Sequence, residues 1–256
     1  MDAKGRGVPV SLSESSLPTM PLSGHLAELR RRLLVSGIVW IAASAMAWFL
    51  TPAVVSYLGE RVGRLVFVTP AEAFVSLVKI AMTLGLVAAA PVILVEAWLF
   101  VLPGLFPTER RLVYRLAPVV VVLFVAGIVF SWFVMLPLML SFFLGFQTER
   151  IHATITIARF LSFLMGVTLP FGLVFQLPLV TYTLTRIGVV PARFWARQRR
   201  YVVLMAFIVG ALLTPPDPVS QALLAIPLLF LYEIGAWVAR RAERLRVGRG
   251  EEGVWP

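Results

Sequence analysis

Six long apolar stretches, separated by charged or proline-rich segments, constrain what this 256-residue chain can become more than any other feature. They span residues 33–50, 76–102, 116–140, 160–185, 201–213 and 219–238. A helix needs about 20 predominantly apolar residues to cross a hydrocarbon core about 30 Å thick. The first four, at 18 to 27 residues, are read as full-length spans. The last two are short, and 201–213 would reach only about 20 Å at 1.5 Å per residue. Local thinning of the bilayer or extension by flanking residues would accommodate them. Composition agrees, since 59% of residues are hydrophobic and only 14% charged, whereas a soluble domain carries about a quarter. The expected fold class is all-α, a polytopic membrane protein with six transmembrane helices, the last two short.

The basic residues assign the two sides. Eighteen of the 23 lie in four alternate polar segments. Lys4, Arg6, Arg30, Arg31 and Arg32 precede the first stretch, and Arg110, Arg111 and Arg115 follow the second. Arg186, Arg193, Arg197, Arg199 and Arg200 follow the fourth, and Arg240, Arg241, Arg244, Arg246 and Arg249 follow the sixth. Lysine and arginine accumulate on the cytoplasmic side, so both termini are expected in the cytoplasm, with the protein in the cell membrane. Residues 1–20, rich in Ser, Pro and Gly, are expected to form a disordered cytoplasmic tail. Residues 21–240 form the membrane domain and 241–256 a cytoplasmic C-terminal tail. The first stretch, with Ala45-Met46-Ala47 inside it, superficially suits a cleaved signal peptide, but five further spans favour an uncleaved helix.

Several function classes drop out. A net charge of +10 could suggest nucleic acid, but these arginines are spread over juxtamembrane segments, where anionic headgroups explain them. There is no phosphate-binding loop, and Lys4 and Lys79 are the only lysines. His25 and His152 lie in polar segments outside any metal or catalytic motif, and the chain has no cysteine. No cofactor, metal or catalytic residue is expected, and an enzyme is not.

The acids remain. Glu28, in His25-Leu-Ala-Glu28-Leu-Arg-Arg-Arg32, could simply pair with Arg32 four residues on and favour the first helical turn. Glu109 could be a first-turn acid behind a Thr108 N-cap. Alternatively, two carboxylates on one face could accept guanidinium groups from a partner in charge-assisted hydrogen bonds. Local arginines would compete for them, so such a site must be shaped. Glu96 and Glu233 lie near span ends, from which they can snorkel. Gln176, near mid-depth between Pro170 and Pro178, needs a hydrogen-bonding partner or a wet cavity. Asp217 is expected to cap the last helix, with Pro218 in its first position.

These residues also carry a resemblance. HLAELRRRL at His25, PAEAF at Pro70 with Lys79, and WLFVLPGL at Trp98 followed by Glu109-Arg110-Arg111 resemble the TatC family, the polytopic core of the twin-arginine protein translocase. LPFGLVFQLP (169–178), Arg200-Tyr201, LLTPPDPVSQ (212–221) and Leu231-Tyr232-Glu233 extend the likeness over roughly residues 20–240.

The resemblance implies a receptor for twin-arginine signal peptides of folded precursors. Its partners would be single-span TatA and TatB subunits, further TatC copies and the lipid bilayer, with no nucleic acid, and the proton-motive force would drive export. It assigns Glu28 and Glu109 to the signal's arginines, with Leu26, Phe100 and Arg110 beside them. Pro70 and Phe74 mark a periplasmic cap used in assembly, and Asp217 and Gln221 a partner contact. The family commonly has Glu where this chain has Gln176, and Gln where it has Glu96. The swap suggests an acid moved between helices facing one shared polar cavity. The alternative reading is an ion-coupled small-solute transporter using Glu96 and Gln176.

Overall fold

The computed structural model describes residues 22–62, 65–100, 107–148, 154–213 and 217–247, excepting the side chains of 22, 23, 25, 61, 62, 107–110, 246 and 247. These residues are almost entirely helical. Five helical stretches are long and apolar enough to cross a membrane: Leu26–Glu60, Pro70–Phe100, Arg111–Leu144, Ile157–Arg186 and Pro218–Leu245. Large apolar side chains point outward, with Phe49 83%, Leu212 84% and Ile41 68% exposed. Soluble monomers rarely carry apolar surface on this scale. In lipid it is ordinary.

Helix α1 (Leu22–Ala47) passes through a 3₁₀ turn (Trp48–Leu50) into α2 (Thr51–Val62) and returns as α3 (Pro70–Phe100). The start of α3 is written locally. Thr69 Oγ1 accepts the Glu72 N–H at 3.3 Å, while Glu72 Oε2 accepts the Val68 N–H at 2.8 Å. This is a capping box reaching one residue further back than usual, with Pro70 at the first helical position. α1 lies against α3. At Gly85 an added Cβ would stand 2.2 Å from Ser44 Oγ and 2.5 Å from Ser44 Cα, so only glycine permits this approach. Close backbone approach at small residues is how helices associate where no hydrophobic effect drives them together.

The middle of the fold is α4 (Pro107–Phe130), a π-helical segment (Ser131–Met135), α5 (Leu136–Leu144) and α6 (Ile157–Val174). The third apolar stretch is therefore one helical rod with a π bulge, which its hydropathy did not foretell. Ser131, fully buried in the bulge, donates to Thr168 Oγ1 of α6 at 3.3 Å. Gly127 and Gly172 let α4 and α6 cross closely, and Phe130 packs its ring 5.5 Å from both Phe171 and Phe175. At the end of the molecule away from the arginine clusters, Val66 donates its N–H to the Ile155 carbonyl at 3.1 Å. The Val66 carbonyl accepts from the Ile157 N–H at 2.9 Å.

α7 (Leu177–Arg186) continues α6 after a break at Gln176, where Pro178 lacks the N–H that would carry the helix through. A short α8 (Ala192–Arg197), α9 (Arg199–Leu213) and α10 (Pro218–Val247) complete the chain. Asp217 caps α10 as expected, its Oδ1 accepting the Ser220 N–H at 2.7 Å.

Two expectations need correction. α9 is short, at 15 residues, but α10 has 30. The apolar run of α10 ends near Val238, yet the helix continues because Ala236, Ala239 and Ala242 keep its inner face fully buried. The expected boundary between membrane domain and C-terminal tail at residue 240 thus falls inside a continuous helix.

Candidate functional site

At the arginine-rich end, α1 begins, α3 ends and α4 begins. Arg32 lies between two carboxylates. Its Nε and Nη2 donate to Glu28 Oε1 at 3.1 and 2.6 Å, and its Nη1 donates to Glu96 Oε2 at 2.8 Å and to the Glu96 carbonyl at 3.3 Å. The expected i,i+4 pair is present, but Arg32 does more than sit beside Glu28. It links α1 to α3. Sequence reasoning missed this bridge, although both residues stand at the basic ends of consecutive apolar stretches and so at similar depth.

Two acids and one base leave the trio with one negative charge in surplus, on a face otherwise crowded with arginine. All three side chains remain partly exposed, at 23% for Glu28, 27% for Glu96 and 18% for Arg32. Both Arg32 bonds to Glu28 use one oxygen, and a carboxylate offers about four acceptor positions. The cluster can therefore take a further guanidinium from outside.

α4 reaches the same place. Trp98 of α3 donates its indole N–H to the Val113 carbonyl at 3.0 Å, fixing the first turns of α4 against the last turn of α3. Glu109 and Arg110 lie in the first turn of α4, and their side chains fall outside the described residues, as do residues 103–105. Thr108 is not the cap expected of it, since the helix already includes Pro107, a residue suited to the first position. Phe100, the last residue of α3, is half-buried, and Leu26 on α1 is 64% exposed.

The other expected residues lie elsewhere. Gln176 donates its Nε2–H to the Val120 carbonyl of α4 at 2.9 Å, satisfying the requirement for a partner at depth. Among the described residues no hydrogen bond joins it to Glu96, so each has its own partner and the shared cavity inferred from their swap has no such link. Pro70 opens α3 at the opposite end. Phe74, 62% exposed there, sets its ring edge-on 6.3 Å from Trp48. Asp217 and Gln221 open α10, where Gln221 packs against Gly210 of α9. Glu233 pairs with Arg199 at 2.7 Å across α9 and α10.

The model of the family described as Sec-independent protein translocase protein (TatC) matches residues 24–227. The chain belongs to the TatC family. A TatC from Carboxydothermus hydrogenoformans is 40% identical over 226 residues, which cover 86% of this chain and 93% of that protein. One from Aquifex aeolicus is 36% identical over 233 residues, covering 88% and 97%. A crystal structure described as the twin-arginine translocase receptor TatC superimposes with a TM-score of 0.77 at 34% identity, covering 85% of this chain and 99% of that one. This TatC family member is thus a multi-pass membrane protein of a protein-translocase family. The solute-transporter alternative is not supported, because Glu96 and Gln176 have separate partners and the family and relatives matched are translocase components.

Proposed function

We propose that this protein is the core receptor of a twin-arginine translocation system, capturing the signal peptides of folded precursors at the cytoplasmic face. The observation that carries this reading is the match, over 85% of this chain, to 99% of a structure described as the twin-arginine translocase receptor. The surplus carboxylate charge at the arginine-rich end supports it physically. Glu28 and Glu109 receive the signal's two guanidinium groups, while Leu26, Phe100 and Arg110 shape the surrounding surface. Arginine suits such sites because its planar fork bonds carboxylate in a bidentate manner, which lysine cannot copy.

In this reading the arginine-rich end faces the cytoplasm of the cell membrane, with α9 as a sixth and short crossing and both termini inside. Single-span TatA and TatB-type subunits and further TatC copies assemble around it, and the proton-motive force drives export. Pro70 and Phe74 belong to a periplasmic assembly surface, Asp217 and Gln221 to a partner contact. The protein acts as a receptor and scaffold and performs no catalysis.

The test is capture of a labelled twin-arginine peptide by the full chain in nanodiscs. Wild-type protein should bind it and discriminate strongly against a Lys-Lys peptide. Glu28→Ala/Glu109→Ala should lose binding by at least about tenfold, since each lost charge-assisted bond is worth about 1.5–3 kcal/mol. Undiminished capture by the double variant would reject the assignment.

A further inference from the structure

Beyond its apolar run, α10 carries a second basic feature that takes no part in the carboxylate cluster. Trp237, Arg240, Arg241, Arg244 and Leu245 recur at three- and four-residue spacings and so share one helix face. They line a single concavity of about 440 Å³. Its chemistry is one-sided. Ala236, Ala239 and Ala242 occupy the opposite, fully buried face. Glu243, the acid of this stretch, is turned toward α8, where its Oε1 accepts the Ala192 N–H at 3.1 Å. Among the described residues none of the three arginines forms an ion pair. Arg241 is held with its guanidinium carbon 5.5 Å from the centre of the Trp237 ring, within cation–π range.

Depth identifies the occupant. Trp237 stands where the apolar run ends, the level at which indole rings settle at a membrane interface. At 1.5 Å per residue, Arg240 to Arg244 stand about 5 to 10 Å further along the helix, in the headgroup layer. Guanidinium groups there meet phosphate esters, and basic pockets at this level hold anionic headgroups.

We propose that this face of α10 is a binding site for one anionic phospholipid. Arg240, Arg241 and Arg244 hold its phosphate, Trp237 supports its glycerol and upper acyl chain, and Leu245 closes the outer end. The site is distinct from general attraction to a charged surface because the three arginines line one concavity and Arg241 already lies against the indole. It requires only that α10 span the bilayer, and is independent of the signal-peptide reading.

The full chain, delipidated and returned to mixed micelles holding equal phosphatidylglycerol and phosphatidylcholine, should retain phosphatidylglycerol with at least about tenfold preference by native mass spectrometry. Arg240→Gln/Arg241→Gln/Arg244→Gln should abolish that preference; undiminished retention would overturn the site. Displacement of the lipid by millimolar inorganic phosphate would overturn the lipid as occupant. Retention that emerges only after removal of residues 248–256 would assign the face to the chain's own Glu251 and Glu252, and overturn it equally. Should the triple variant fail to fold, native protein still decides. Brominated phosphatidylglycerol should quench the Trp237 emission, obtained by subtracting Trp237→Phe, more than brominated phosphatidylcholine does. Equal quenching refutes the proposal.

Discussion

Arg32 ties α1 to α3 through Glu96, and the strength of that tie can be worked out and measured. The Nη1–Oε2 distance is 2.8 Å, and the side chains keep 18% and 27% of their exposure. Two unit charges about 4 Å apart attract by about 4 kcal/mol at an effective dielectric constant of 20. Desolvation and competition from Glu28 subtract from that. Fully exposed pairs couple by about 0.2–1 kcal/mol, and loss of one partner from a fully buried pair costs about 3–5 kcal/mol. A half-buried, doubly bonded pair should fall between, at about 1–2 kcal/mol. The measurement is a double-mutant cycle of Arg32→Gln, Glu96→Gln and the pair, read by unfolding of micelle-bound protein with increasing SDS fraction. Arg32→Gln should be the costlier single change, because it leaves two carboxylates facing each other. A parallel cycle with Glu28→Gln should give only about 0.2–0.5 kcal/mol, as expected of an i,i+4 pair within one helix. An Arg32–Glu96 coupling below about 0.3 kcal/mol, the noise of additivity, would refute the idea that this contact fastens the two helices.

Two further outcomes follow from particular contacts. Gln176→Glu should destabilise the protein by about 1–3 kcal/mol, because an ionised carboxylate cannot donate to the Val120 carbonyl. For the same reason Glu96→Gln/Gln176→Glu should be less stable than Glu96→Gln alone in the same unfolding assay. Gly85→Ala should cost about 1–3 kcal/mol, since its Cβ meets the Ser44 backbone, which no rotamer change can relieve; unchanged stability would show that α1 slides freely on α3.

What the sequence disclosed depended on how local the cause was. Asp217 and Pro218 announced the start of α10 because a cap and a first-position proline act within one turn. The six apolar stretches were visible because lipid imposes a length on such runs, and 201–213 looked short because α9 is. The end of α10 was misjudged, since hydropathy stops at the bilayer edge while a buried alanine stripe goes on. The π bulge left little mark in composition: it inserts one residue into a run that is apolar apart from Ser131. At the candidate site, Glu28 with Arg32 was legible as an i,i+4 pair. Glu96 was not, because its partner lies 64 positions away and only the packing of α1 on α3 supplies it.

The clasp at the opposite end from the arginines has a different kind of consequence. Val66, Ile155 and Ile157 join two connections about ninety positions apart through backbone N–H and carbonyl groups alone, and such bonds are blind to side-chain identity. The exposed Phe67 and Val68 beside it can therefore drift in character, acquiring or losing affinity for whatever touches that surface, without loosening the join beneath. Proline at 66 or 157 is the exception, since it alone deletes a donor. This join asks little of the genetic code, and the surface around it is free to change.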